Sequence, residues 1–102
     1  MSDRPTTVRI QGHEYTIEFV PELAIKDSDK AGVCNSNVQE IKVGAGLAAS
    51  CQRATLLHEI LEGISYQLDL QLEHPMVCRL SAALYQVIAD SPEVAKWIAD
   101  WE

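Results

Sequence analysis

A chain of 102 residues with 47% hydrophobic and 23% charged side chains has the make-up of one globular domain, which excludes disorder as its default state. Fifteen acidic against eight basic residues leave a net charge of -7, which repels a phosphate backbone and excludes nucleic acid as an expected partner. No run reaches the roughly 18 apolar residues of a membrane span, and the polar start Met1-Ser2-Asp3-Arg4 is not a signal peptide, so a cytoplasmic protein without membrane contact is expected.

The strand period comes first. Val8 and Ile10 alternate with polar residues before Gly12-His13, and Tyr15, Ile17 and Phe19 alternate after it, which predicts a hairpin with His13 exposed at its turn. Past Pro21, the polar stretch from Lys26 to Lys30 reads as a connection. Asn35-Ser36-Asn37 then supplies turn chemistry between residues 32–34 and 38–43, giving a second hairpin. The expectation for residues 7–43 is an antiparallel sheet of three to four short strands.

Beyond about residue 45 the turn residues thin out and helix formers take over, so the whole is expected to be a single α+β domain with its helices in residues 50–102. Ala54, Leu57, Leu61 and Ile64 fall on one helical stripe, with Ser50 placed to cap the start and Gln67 near the end. Residues 68–72 read as a connection. Pro75 suits the first turn of a second helix, whose apolar face is predicted to be Val77, Leu80, Leu84 and Ile88. Ser91-Pro92-Glu93 restates the start pattern for a short third helix carrying Val94, Trp97, Ile98 and Trp101, with the tryptophans read as packing residues.

The first helix contains Thr55-Leu56-Leu57-His58-Glu59-Ile60-Leu61-Glu62. His-Glu-x-x-His on a helix is a zinc-hydrolase motif, and here its fifth position is glutamate. Residues four apart on a helix differ by about 40° around the axis, so His58 and Glu62 can reach one ion. Glu59 sits about 100° from His58 and is free to act on a water as general base. The same three residues also suit a plain solvated helix face.

Additional support comes from Leu72-Glu73-His74-Pro75. A residue before proline is pushed away from helical backbone, so His74 is expected in extended conformation at the mouth of the second helix, within reach of Glu62 if the connection folds back. His58, Glu62 and His74 would then form a nitrogen–oxygen–nitrogen set with an open fourth position, the ligand chemistry of catalytic zinc. The alternative is that His74 merely caps its helix. Cys34, Cys51 and Cys78 form no Cys-x-x-Cys pair and read as free thiols of a reducing compartment, with room for one of them to lie near the metal site. Tyr66, Tyr85, Arg53 and Arg79 read as packing or surface residues.

At Ala54–His74 and again at Leu80–Ile98, within a likeness that covers roughly Gly32 to Ile98, the chain resembles small phage and prophage zincin-like proteins, short relatives of the gluzincin metallopeptidases. The most specific parts are Leu56-Leu57-His58-Glu59-Ile60-Leu61 and Leu84-Tyr85-Gln86-Val87-Ile88-Ala89-Asp90. The resemblance implies a zincin-like fold, His58 as first zinc ligand, Glu59 as catalytic base and Glu62 in the second ligand position. The third ligand of gluzincins is usually a glutamate on the next helix, at whose start Glu73 or His74 stands here; His74 is favoured because it keeps nitrogen on both sides of Glu62. The resemblance implies a zinc metallopeptidase of phage origin acting on a peptide or protein in a bacterial host cell, or an inactive binding or adaptor protein on the same scaffold. The glutamate at position 62 makes manganese or iron more admissible than two histidines would. A chain this short has little surface for a deep cleft, so a homodimer or partner chain is expected to complete it.

Overall fold

The computed structural model describes residues 4–21 and 31–100. Four strands, β1 (Thr7–Ile10), β2 (His13–Val20), β3 (Gly32–Asn35) and β4 (Glu40–Gly44), are followed by three helices, α1 (Ala49–Gln67), α2 (His74–Asp90) and α3 (Pro92–Ala99). The arrangement is α+β, with the strands preceding the helices as their periodicities predict. The stretch from Lys26 to Lys30 and Trp101 lie outside the described residues. No helix among those described is long and apolar enough to cross a membrane.

Both hairpins form, and they join in a way the alternation does not reveal. The sheet order is β1-β2-β4-β3, with β1–β2 and β3–β4 antiparallel but β2–β4 parallel, so the sheet is mixed rather than wholly antiparallel. The first hairpin turns on Gln11 and Gly12, whose φ values of 51° and 83° are the left-handed pair of a two-residue turn. His13 is therefore the first residue of β2; it is exposed, and its Nδ1 lies 3.3 Å from Gln39 Nε2. In the second hairpin the Asn37 amide donates to Asn35 Oδ1 at 3.2 Å, the side-chain turn that asparagine favours.

Alternation then puts Ile10, Tyr15, Ile17, Ile41 and Val43 on one sheet face, where they form the buried core. Helix α1 covers that face with Leu56, Ile60 and Ile64, so of the predicted Ala54–Leu57–Leu61–Ile64 stripe Ile64 alone packs against this core. Gly63 lies at the contact. A Cβ there would stand 2.7 Å from Ile10 Cδ1 and 3.6 Å from both Cys34 Sγ and a Tyr15 ring carbon, so the helix seats its bare backbone against the sheet. Leu56, Ile60 and Ile64 on the sheet side and Leu57 and Leu61 beside them are all half-buried.

Ser50 is not the cap of α1, because the helix begins at Ala49, with Ala48 in the cap position. The incoming loop is held instead by the Gln52 side chain, whose Nε2 donates to Ala45 O at 3.1 Å and to Leu47 O at 2.7 Å. Helix α2 packs on α1, and α3 on α2. Of the apolar face predicted for α2, only Val77 is buried, joined by Ser81, whereas Leu80, Leu84 and Ile88 stay 40–43% exposed. Trp97, read as a packing residue, is 79% exposed. Both helices are amphipathic as expected, but each meets its neighbour along a line narrower than its apolar stripe.

Candidate metal centre

The site lies where α1, α2 and the edge strand β3 face one another across an open groove, walled by Gly32 and Cys34 on one side and by His74 and Cys78 on the other. Its geometry depends on the connection between α1 and α2 folding back sharply. Asp69 and Gln71 adopt left-handed backbone, with φ of 51° and 56°. Buried Ser65 ties the connection down, its carbonyl accepting from the Leu70 amide at 2.9 Å and its Oγ from the Leu72 amide at 3.0 Å. The connection thereby returns the chain to α1 at the level of Glu62.

His74 is consequently the first residue of α2, and the extended cap is Glu73, with φ -76° and ψ 153°. His74 is thus helical rather than extended as expected from Pro75, because the proline falls in the first turn of the helix and the extended backbone lies at Glu73. The consequence for the site is unchanged. His58 Nε2 lies 3.5 Å from Glu62 Oε2, and His74 Nδ1 lies 3.7 Å from the same oxygen. The two imidazole rings meet edge to face with centroids 5.2 Å apart. Glu73, the other candidate third ligand, is exposed and does not line the groove.

Cys78 is the member that sequence reasoning did not single out. Its Sγ lies 3.4 Å from His74 Nε2, and one ligand atom each from His58, His74 and Cys78 fall within 4.8 Å of one another, so the three could hold a metal ion. The pattern that would have found it is the i, i+4 offset. His74-Pro75-Met76-Val77-Cys78 repeats on α2 the spacing that His58 and Glu62 have on α1.

Ligands about 2.0–2.3 Å from a tetrahedral ion stand roughly 3.3–3.7 Å from each other. The His58–Glu62 and His74–Glu62 contacts of 3.5 and 3.7 Å match that spacing, whereas the ligand atoms of His58, His74 and Cys78 spread over up to 4.8 Å, and His74 meets Glu62 through Nδ1 but Cys78 through Nε2, so its ring must turn for one ion to take both. Burial lowers the pKa of His58, with the neighbouring Glu62 working against it, and the neutral imidazole is the form that binds a metal.

Glu59 takes a different direction on α1. It is only 6% exposed and leans against β3, where a Cβ on Gly32 would lie 3.0 Å from its Oε2. Burial, with Glu62 adding repulsion, pushes its pKa from the usual 4.5 up to about 7. Burial likewise raises the Cys34 thiol behind it, opposed by the hydroxyl of Ser36 at 3.6 Å. The tyrosines take no part in the donor cluster. Tyr66 donates to Asn37 Oδ1 at 3.2 Å across the groove mouth, while Tyr85 is half-buried farther along α2. Arg53 and Arg79 are exposed, as expected.

No protein-family model, curated protein or solved structure matches this chain.

Proposed function

We propose that the chain is a zinc-dependent hydrolase of the minimal metallopeptidase type, with His58, Glu62 and His74 as metal ligands and Glu59 as general base. The observation that carries this reading is the meeting of His58, Glu62 and His74 side chains from two helices, at 3.5 and 3.7 Å about one carboxylate oxygen. Imidazole nitrogen with a thiol nearby favours zinc over manganese, which prefers oxygen donors. A zinc ion held there would supply Lewis acidity toward a carbonyl oxygen and would acidify water.

The chain's own residues account for the rest. Glu59 lines the groove next in sequence to His58 and is the carboxylate that would accept and return a proton. The groove runs beside β3, an edge strand of the sheet, which suits a substrate with extended backbone such as a peptide. The resemblance to zincin-like phage proteins supports His58 as a ligand and Glu59 as base, while Glu62 and His74 depart from that family's usual histidine and glutamate ligands.

Elemental analysis after purification without chelators is the test: about one zinc per chain is expected, lost in His58→Ala. A metal-free preparation that takes up no added zinc overturns the reading. Catalysis is tested separately with Glu59→Gln, which should keep zinc and lose peptide hydrolysis. The second reading is a non-catalytic binding protein on this scaffold, favoured by the number of donors crowding the ion. In that case Glu59→Gln keeps both zinc and partner binding, and the wild-type chain cleaves no peptide.

A further inference from the structure

We infer that Cys78 is a fourth, displaceable donor, whose thiolate closes the metal centre formed by His58, Glu62 and His74. This rests on the metal site proposed above and specifies its resting state.

Helix α1 offers His58 and Glu62, and helix α2 offers His74 and Cys78, each pair one helical turn apart and each turned toward the same groove. His74 lies between the other members, its Nδ1 toward Glu62 and its Nε2 toward Cys78. A ring gives only one nitrogen to a given ion, so His74 must choose. Its side chain is 71% exposed and has the room to turn, and Cys78 is exposed as well, so the α2 pair can adjust without moving the buried part of the site.

Chemistry then separates the roles. Two imidazoles, one carboxylate and one thiolate around a divalent ion give four protein donors and no net charge, which is the closed arrangement of structural zinc. Hydrolysis needs one open position. Among the four, Cys78 is the donor whose departure leaves the His-Glu-His set intact, and it stands on the less buried helix. The thiol therefore acts as a latch: bound, it pins α2 to α1 and keeps substrate off the ion; displaced, it opens the fourth position. Its role is positioning and regulatory.

Cobalt(II) is the probe, loaded into the full chain in place of zinc, with cobalt content and absorption spectrum measured together. The expected result is an intense thiolate-to-cobalt band in the near ultraviolet, absent in Cys78→Ser although that variant still binds about one cobalt. A wild-type spectrum without the band, or one that Cys78→Ser leaves unchanged, overturns the assignment of Cys78 while the metal site stands. Failure of the chain to bind cobalt, or full binding by His58→Ala, overturns the metal site and the latch together. A second measurement needs no variant. Zinc should slow alkylation of Cys78 by iodoacetamide about tenfold or more while leaving the exposed Cys51 at its metal-free rate, since a coordinated thiolate is a poor nucleophile. Equal protection of both, or of neither, counts against the latch.

Discussion

The sheet with α1 and the pair α2–α3 bury their apolar residues to different degrees. In the first region Tyr15, Ile41 and Val43 are wholly removed from solvent, and Gly63 brings helix and sheet into backbone-close contact. In the second, Val77 is the one described side chain so buried, while Leu80, Leu84, Val87 and Ile88 remain 40–43% exposed and Ile98 67% exposed. A sheet presents a broad surface to a helix, whereas two helices touch along a line. The donors straddle this boundary: His58, Glu59 and Glu62 stand on the firm region, and His74 and Cys78 on the one with little core of its own. An ion shared between them would do for α2 part of what a larger core does for α1.

The contrast can be broken most forcefully in the first region. Ile41→Ala, at a fully buried position in the central strand β4, should lower unfolding free energy by about 2–5 kcal/mol in urea titration. A loss below 1 kcal/mol would mean that the sheet–α1 interface is not the stable part of the molecule.

Next in size is a pH effect at the buried edge of the site. The Glu59 carboxyl holds its proton more tightly folded than unfolded, so its contribution is fully present below about pH 4.5 and is lost as pH rises to about 7. The metal-free protein should accordingly lose up to about 3 kcal/mol from this group between those limits, and Glu59→Gln should flatten that part of the Tm profile. An unchanged slope in the variant would place the titration elsewhere.

Gly32→Ala tests how closely β3 is seated against α1. The new Cβ would meet Thr55 Cγ2 at 2.6 Å and Glu59 Oε2 at 3.0 Å, and a loss of about 1–3 kcal/mol by chemical denaturation is expected. Threonine is β-branched and cannot swing clear, so the strand or the helix has to shift. The smallest change belongs to the second region: Leu84→Gln, at a 43% exposed position, should cost less than about 1 kcal/mol. A cost equal to that of Ile41→Ala would show that the α2 stripe is covered in solution and would erase the contrast.

Much of the fold was legible because its signals are local. Period two around Gly12 and the turn chemistry of Asn35-Ser36-Asn37 point to the two hairpins, and Pro75 and Pro92 mark two helix starts. What was missed required knowing the neighbour. The parallel β2–β4 pairing depends on where the second hairpin docks, and the close seating of α1 on the sheet depends on Gly63, which in isolation reads as a poor helix residue. The site divides the same way. His58, Glu59 and Glu62 were readable because four-residue spacing on one helix is geometry in itself, and His74 followed from a fold-back that Ser65 does secure. Cys78 was set aside because a lone thiol carries no meaning until its turn-mate His74 is known to face Glu62.

By itself, then, the sequence determined the element types and the one-turn spacing of His58 and Glu62, since these follow from backbone periods of two and 3.6. Only the tertiary structure decided that His58 and Glu62 face His74 and Cys78, that Glu59 is buried against Gly32 with its proton held, and that the α2 stripe remains open. Those outcomes depend on distances between segments far apart in the chain, and such distances are set by how closely α1 can approach the sheet and how sharply residues 68–72 turn back.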